Sequence, residues 1–302
     1  MEELILRKLR TAGWLSILIL LLTFLAQRPA GAVFENIDPS PRTRAMGGAF
    51  AALSDDGCAV FYNPAGLSQL THYQLFTSYH RPYGLDFLEY IAGSVAVPLP
   101  KFGALAFGFQ KFGVTYEGQD LQSEKTFSLS HGMSIMSDVH SSLAFGYTFN
   151  LYDLKFGTSF EGQSLGSAQT MGVDFGLIAI LRSRTRMGAA IRNINQPRMG
   201  KGYGEDLPRY MTFGIAYQPY PGVVTVFDLA KKFGQDTQME GGIEAQIVPF
   251  MALRFGVQTK PERVMGGVGF NYQGVHFDYA LLSHSVLPLT HQFAISYYFG
   301  GD

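Results

Sequence analysis

The stretch Leu143-Ala144-Phe145-Gly146-Tyr147-Thr148-Phe149-Asn150-Leu151-Tyr152 decides how the rest of the chain is read. Large apolar side chains take the odd positions and small or polar ones the even positions. Successive side chains of a β-strand point to opposite faces, so this is one greasy face and one small or polar face. The pattern recurs in Leu105, Phe107 and Phe109 against Ala106, Gly108 and Gln110, and in Met211, Phe213, Ile215 and Tyr217 against Thr212, Gly214, Ala216 and Gln218. It returns near the end in Phe293, Ile295, Tyr297 and Phe299. A soluble sandwich would alternate too. Run length separates the two cases: many runs here reach about ten residues, longer than the usual strand and suited to a tilted membrane-spanning one.

Dividing the chain at its turn signals gives about 14 antiparallel strands between residues 73 and 299. Their connections alternate in length. Tight ones fall at Lys101-Phe102, Asp138-Val139, Ser183 to Thr185, Pro219 to Pro221, Pro249 and Gln273-Gly274. Longer ones are expected at 114–123, 156–168, 196–208 and 285–289. Short periplasmic turns and longer outer loops are the asymmetry of a bacterial outer-membrane barrel. The expected fold class is therefore all-β, a transmembrane antiparallel barrel occupying 73–302 with its termini in the periplasm.

Composition fits. Charged residues make up only 16% of the chain, while Gly, Phe and Tyr number 35, 25 and 16. Such aromatic content argues against disorder. A formal net charge of -1 leaves no cationic excess to neutralise phosphates, so nucleic acid is not an expected partner.

The first 32 residues read as an address. Arg7, Lys8 and Arg10 precede the apolar run Trp14 to Ala26, and Ala30-Gly31-Ala32 supplies a small-x-small cleavage site. The run is too short for a spanning helix, so 1–32 is expected to be a removed signal peptide. Cys58 is then the lone cysteine, which excludes an intramolecular disulfide.

A barrel of this width cannot fill its interior with wall side chains alone. Residues 33–72 lack the strand pattern and carry Phe50, Val60, Phe61, Tyr62 and Leu67, too apolar for a solvated linker. They are expected to form an N-terminal hatch in the lumen. Within it, Arg44 to Leu53 is expected to be a short helix. Asn63-Pro64 reads as an N-cap followed by proline at the first helical position, starting a helix through Leu70.

These residues carry a family resemblance. Arg44-Ala45-Met46-Gly47-Gly48-Ala49-Phe50, followed by Asp55-Asp56 and Tyr62-Asn63-Pro64-Ala65-Gly66-Leu67, resembles the N-terminal signature of the FadL-like outer-membrane proteins, most of all their PorV/PorQ branch. Gly242-Ile243-Glu244, Leu253 to Gly256, Gly267 to Gly269, Phe277 to Ala280 and His291 to Phe299 are similar in order and spacing. The resemblance implies a 14-stranded barrel with a luminal hatch, and Asn63, Pro64, Ala65 and Gly66 as its hatch motif. It implies either a conduit for hydrophobic or amphipathic small molecules or an accessory of a type IX-like protein secretion system. The partners so implied are outer-membrane lipid with a hydrophobic small molecule, or a secretion-system protein.

Register arithmetic places the interior charges. A symmetric hairpin at Pro249 sets Glu244 opposite Arg254, the next connection sets Arg254 opposite Gly267, and the hairpin at Gln273-Gly274 sets Asp278 opposite Gly269. The expectation is a Glu244/Arg254/Asp278 cluster on the lumen face, either bracing wall to hatch or binding a ligand.

Catalytic signals are thin. The seven His residues are scattered, and only His284 and His291 flank one loop, without a third metal ligand at useful spacing. Ser283 and His284 are adjacent and so face opposite ways in a strand. Neither a catalytic centre nor a metal or other cofactor is expected, and the chain reads as non-enzymatic.

Overall fold

The computed structural model describes residues 33–34, 37–159, 163–200 and 204–300. The expected signal peptide, 1–32, lies outside the described residues. Among the described residues there are sixteen strands: β1 Tyr73–His80, β2 Leu88–Leu99, β3 Gly103–Tyr116, β4 Gln119–Ser137, β5 Ser142–Phe156, β6 Ser167–Leu181, β7 Thr185–Arg192, β8 Arg198–Met199, β9 Glu205–Asp206, β10 Tyr210–Tyr220, β11 Val223–Lys232, β12 Thr237–Val248, β13 Met251–Gln258, β14 Arg263–Tyr272, β15 Val275–Leu282 and β16 Thr290–Phe299. Fourteen of them close into one antiparallel barrel, with β1 pairing β16 from Tyr73↔Phe299 to His80↔Gln292. The two-residue strands β8 and β9 form a separate ribbon within the connection between β7 and β10.

The alternation becomes an inside and an outside. Outward rows such as Phe107↔Leu129↔Phe149 and Phe109↔Phe127↔Leu151 run continuously across β3, β4 and β5. Phe107, Leu129 and Phe149 are 48%, 55% and 46% exposed, and Phe213, Phe255 and Ile295 match them further round. A continuous apolar girdle of that kind has no stable place in water and meets lipid instead. Inward, Ser130, Thr148, Asn150 and Asp174 are buried.

The two rims differ. At one, β2 to β3, β4 to β5, β6 to β7, β10 to β11, β12 to β13 and β14 to β15 are joined tightly, and β1 begins and β16 ends there. At the other lie the longer connections, the longest between β7 and β10. One expected long connection is absent: 114–123 is strand on both sides of a two-residue turn. Glu117 and Gly118 take φ +49 and +77, the left-handed pair of a tight hairpin, and Thr115 and Tyr116 pair with Asp120 and Gln119 up to it.

The segment 37–72 lies inside the ring. Its helices differ from expectation: Pro41–Ala45 is helical, capped by Ser40, whereas Arg44 to Leu53 is not a helix. Gly47 and Gly48, at φ +80 and +93, end it after one turn. A second short helix, Ala59–Tyr62, precedes a 3-10 turn, Pro64–Gln69, whose N-cap Asn63 accepts a hydrogen bond from the Ala65 amide. Wall glycines make room for this segment. A Cβ on Gly108 would meet the Phe61 ring at 2.7 Å, one on Gly267 the Ala45 methyl at 2.6 Å, and one on Gly242 the Met46 carbonyl at 2.5 Å. On Gly146 and Gly256 it would collide with the backbone of Pro64 and Gly47. Much of the glycine in the composition is therefore contact surface between wall and luminal segment.

Candidate functional site

Among the described residues, two chambers of about 320 Å³ each lie on opposite sides of the luminal segment. One opens toward the long connections and is lined by Asp38, Arg44, His80, Tyr83, Arg192 and Lys260 among others. The other opens toward the tight turns and is lined by Arg42, Asp55, Asp56, Glu244, Arg254 and Asp278.

The structure brings Glu244, Arg254 and Asp278 together in the turn-side chamber. Glu244 is the register partner of Arg254, Arg254 of Gly267, and Gly269 of Asp278. Arg254 donates from Nε to Glu244 Oε2 at 2.6 Å and from Nη1 to Asp278 Oδ1. A Cβ on Gly269 would stand 2.6 Å from the guanidinium, so that glycine leaves the arginine its space.

The wall cluster is half of a larger network. Arg42, on the luminal helix, grips Glu244 with two hydrogen bonds, Nε to Oε2 at 2.9 Å and Nη2 to Oε1 at 2.8 Å. Its Nη1 reaches Asp55 at 2.7 Å and Asp56 at 3.0 Å, and Arg186 of β7 meets Asp55 at 3.2 Å. Three guanidiniums thus face four carboxylates across the joint between wall and luminal segment. Burial, which opposes charge on Arg42, is outweighed by Asp55 and Glu244, so its pKa stands above the usual arginine value. Burial pushes the Asp56 carboxyl above the ordinary range, against the pull of Arg42. Charge spacing on the strands led to Glu244, Arg254 and Asp278. Arg42 gave no comparable signal, because its place depends on how 37–72 folds back.

The Asn63 motif is a packing device. Asn63 is fully buried, and its Nδ2 points at Ala51 O (2.6 Å), Leu177 O (3.1 Å) and Ala189 O (3.4 Å), stitching the segment to itself and to β6 and β7. Pro64 and Ala65 face Gly146, and a side chain on Gly66 would collide with Ser54. A second anchor escaped sequence reading. Asp228 of β11 accepts the amides of Phe50 and Ala51 at 2.9 and 2.8 Å through one carboxylate oxygen. A lone inward acid opposite Gly214 was its only trace in the sequence.

The remaining candidates have structural occupations. His284 Nδ1 accepts backbone amides from Val286 and Leu287, and His291 pairs with the Tyr279 hydroxyl on the outer wall. Burial raises the Cys58 thiol well above its usual pKa, which disfavours the thiolate a nucleophile needs.

No protein-family model matches this chain, and no curated protein matches it. Solved structures do. The Ralstonia pickettii toluene transporter TbuX is similar at 15% identity and a TM-score of 0.63, over 88% of this chain and 100% of the transporter. The Pseudomonas putida toluene transporter TodX follows at 14% identity and 0.59, over 88% and 99%. A Pseudomonas aeruginosa FadL homologue gives 12% and 0.56, over 88% and 100%. At these identities the likeness establishes a shared fold alone, a closed antiparallel β-barrel.

Proposed function

We propose that this chain is a non-enzymatic conduit of the bacterial outer membrane for hydrophobic or amphipathic small molecules, gated by the luminal segment 37–72. The observation that carries the reading is the pair of chambers on opposite sides of one plug inside a lipid-facing ring. Each has the size of a small-molecule site. The shared fold with toluene transporters agrees with the reading at the level of architecture. The wall braces the plug by charge and by backbone contact, so passage requires a local rearrangement of 37–72 and not a standing channel.

Uptake of radiolabelled toluene and of a labelled long-chain fatty acid into cells with and without the protein tests this. Protein-dependent uptake of either supports the conduit. No uptake of either, with one outer-membrane protein recovered by crosslinking in native membranes, replaces it with the secretion-accessory role that the PorV/PorQ resemblance implies.

A further inference from the structure

The outward face of β3 carries Phe107, Phe109 and Lys111 in succession toward the long connections. On the rung of Phe109 the neighbouring strands offer little bulk, because Gly93 of β2 stands between it and Thr77 of β1. The missing side chain leaves a notch of about 360 Å³ in the lipid-facing wall, bounded by Leu75, Val95, Phe107, Phe109, Ile295 and Tyr297. One rung further on, Lys111 of β3 and Lys125 of β4 are direct register partners on that same outward face. Like charges set directly opposite each other repel. A Cβ on Gly113 would lie 3.8 Å from Lys111 Cε, so this side chain runs up β3 toward the long connections and away from the girdle. Lys155 of β5 adds a third cation to the face. The outward carboxylates in register are Glu89, opposite Gly113, and Asp153, opposite Lys125. Asp153 accepts the Gln169 amide at 2.8 Å and lies 4.0 Å from Lys155. Among the described residues neither acid makes an ion pair with Lys111 or Lys125.

We propose that this arc, β1 to β5, binds a phosphorylated glycolipid of the outer leaflet, with one acyl chain in the Gly93 notch and a headgroup phosphate across Lys111 and Lys125. A notch in a wall that already faces lipid takes a hydrocarbon chain, and the paired ammonium groups select the headgroup at its end. A phosphate between them turns a repulsive pair into two charge-assisted contacts. Longer connections mark the outer side of such a barrel, so the lipid within reach of the lysines is the phosphorylated glycolipid of that leaflet and not the phospholipid of the inner one. The inference rests on the outer-membrane reading and its orientation and is independent of cargo.

The test titrates the delipidated, purified protein in detergent micelles with lipid A and follows binding by native mass spectrometry. Wild type should take up one lipid A, while dephosphorylated lipid A and phosphatidylglycerol should each bind at least ~10-fold more weakly. In Lys111→Gln/Lys125→Gln, lipid A should bind no better than its dephosphorylated form. Gly93→Leu, whose side chain fills the notch, should weaken both forms by ~10-fold. These positions face lipid, so both variants should keep the heat resistance of the barrel; should one fail to fold, the comparison of headgroups on wild type still decides. Uptake of labelled toluene or fatty acid by the double variant should equal that of wild type, so absence of a conduit leaves the lipid site standing. Equal binding of lipid A and its dephosphorylated form, equal binding of phosphatidylglycerol, or unchanged affinity in either folded variant would each overturn the proposal.

Discussion

Arg42 and Glu244, separated by 202 residues in the chain, are joined by two hydrogen bonds that tie the luminal helix to β12. The contact is bidentate and mostly sheltered, the geometry in which a guanidinium holds a carboxylate best. It is the hinge between two halves of the charge network: Arg254 and Asp278 continue it along the wall, Asp55 and Asp56 within the lumen.

Replacing Arg42 with Ala leaves Glu244, Asp55 and Asp56 facing one another with Arg254 and Arg186 as the remaining cations. Breaking one partner out of a buried network costs about 3–5 kcal/mol. Urea unfolding in detergent micelles should show that loss, while Lys155→Ala, on the exposed partner of Asp153, should change stability by less than about 1 kcal/mol. Equal stability of Arg42→Ala and wild type would remove the network from the account of what holds the segment.

Asp56 gives a pH signature. Its folded pKa is raised by burial, so the native state binds a proton more tightly than the unfolded chain, where the value is about 3.9. Its contribution is fully present below that unfolded value and is lost as pH rises through the folded one. Asp56→Asn should flatten this part of the stability curve and, with Arg42 still held by Asp55 and Glu244, stay within about 1 kcal/mol of wild type at pH 7. A steeper curve in the variant contradicts the sign.

Gly256→Val should separate wall from plug. Its side chain would enter space held by the backbone of Met46 and Gly47, while the outward face of β13 is untouched. The barrel should still resist heat in detergent, and ion conductance across planar bilayers should rise above the wild-type level. Unchanged conductance in a folded variant would show that this contact does not seal the lumen.

Phe149→Lys places a charge in the apolar girdle. A cation on the lipid face near mid-membrane costs about 2–4 kcal/mol, so folding into lipid vesicles should weaken by that much. Asn150→Lys on the opposite face should fail differently, by disrupting the Ser128 and Asp174 hydrogen bonds in the lumen.

Strand number, facing and register were legible because a period of two is written locally: one residue sets its neighbour's face, and a tight turn sets its partner. Glu244 opposite Arg254 follows from Pro249 in that way. The Asn63-Pro64 cap was legible for the same reason, its hydrogen bond spanning two residues. The helix expected over Arg44 to Leu53 was not, because the alanines there are small to pass wall glycines and not to favour a helix.

The sequence by itself determined a lipid-facing antiparallel barrel, its hairpin registers and the three wall charges, all consequences of alternation and short turns. Only the tertiary structure decided that Arg42 completes the charge network and that Asp228 holds Phe50 and Ala51. Those contacts join an aperiodic segment to strands tens to hundreds of residues away. Their physical origin is the fit of one folded-back chain against the glycines of a closed ring, and no local spacing encodes that fit.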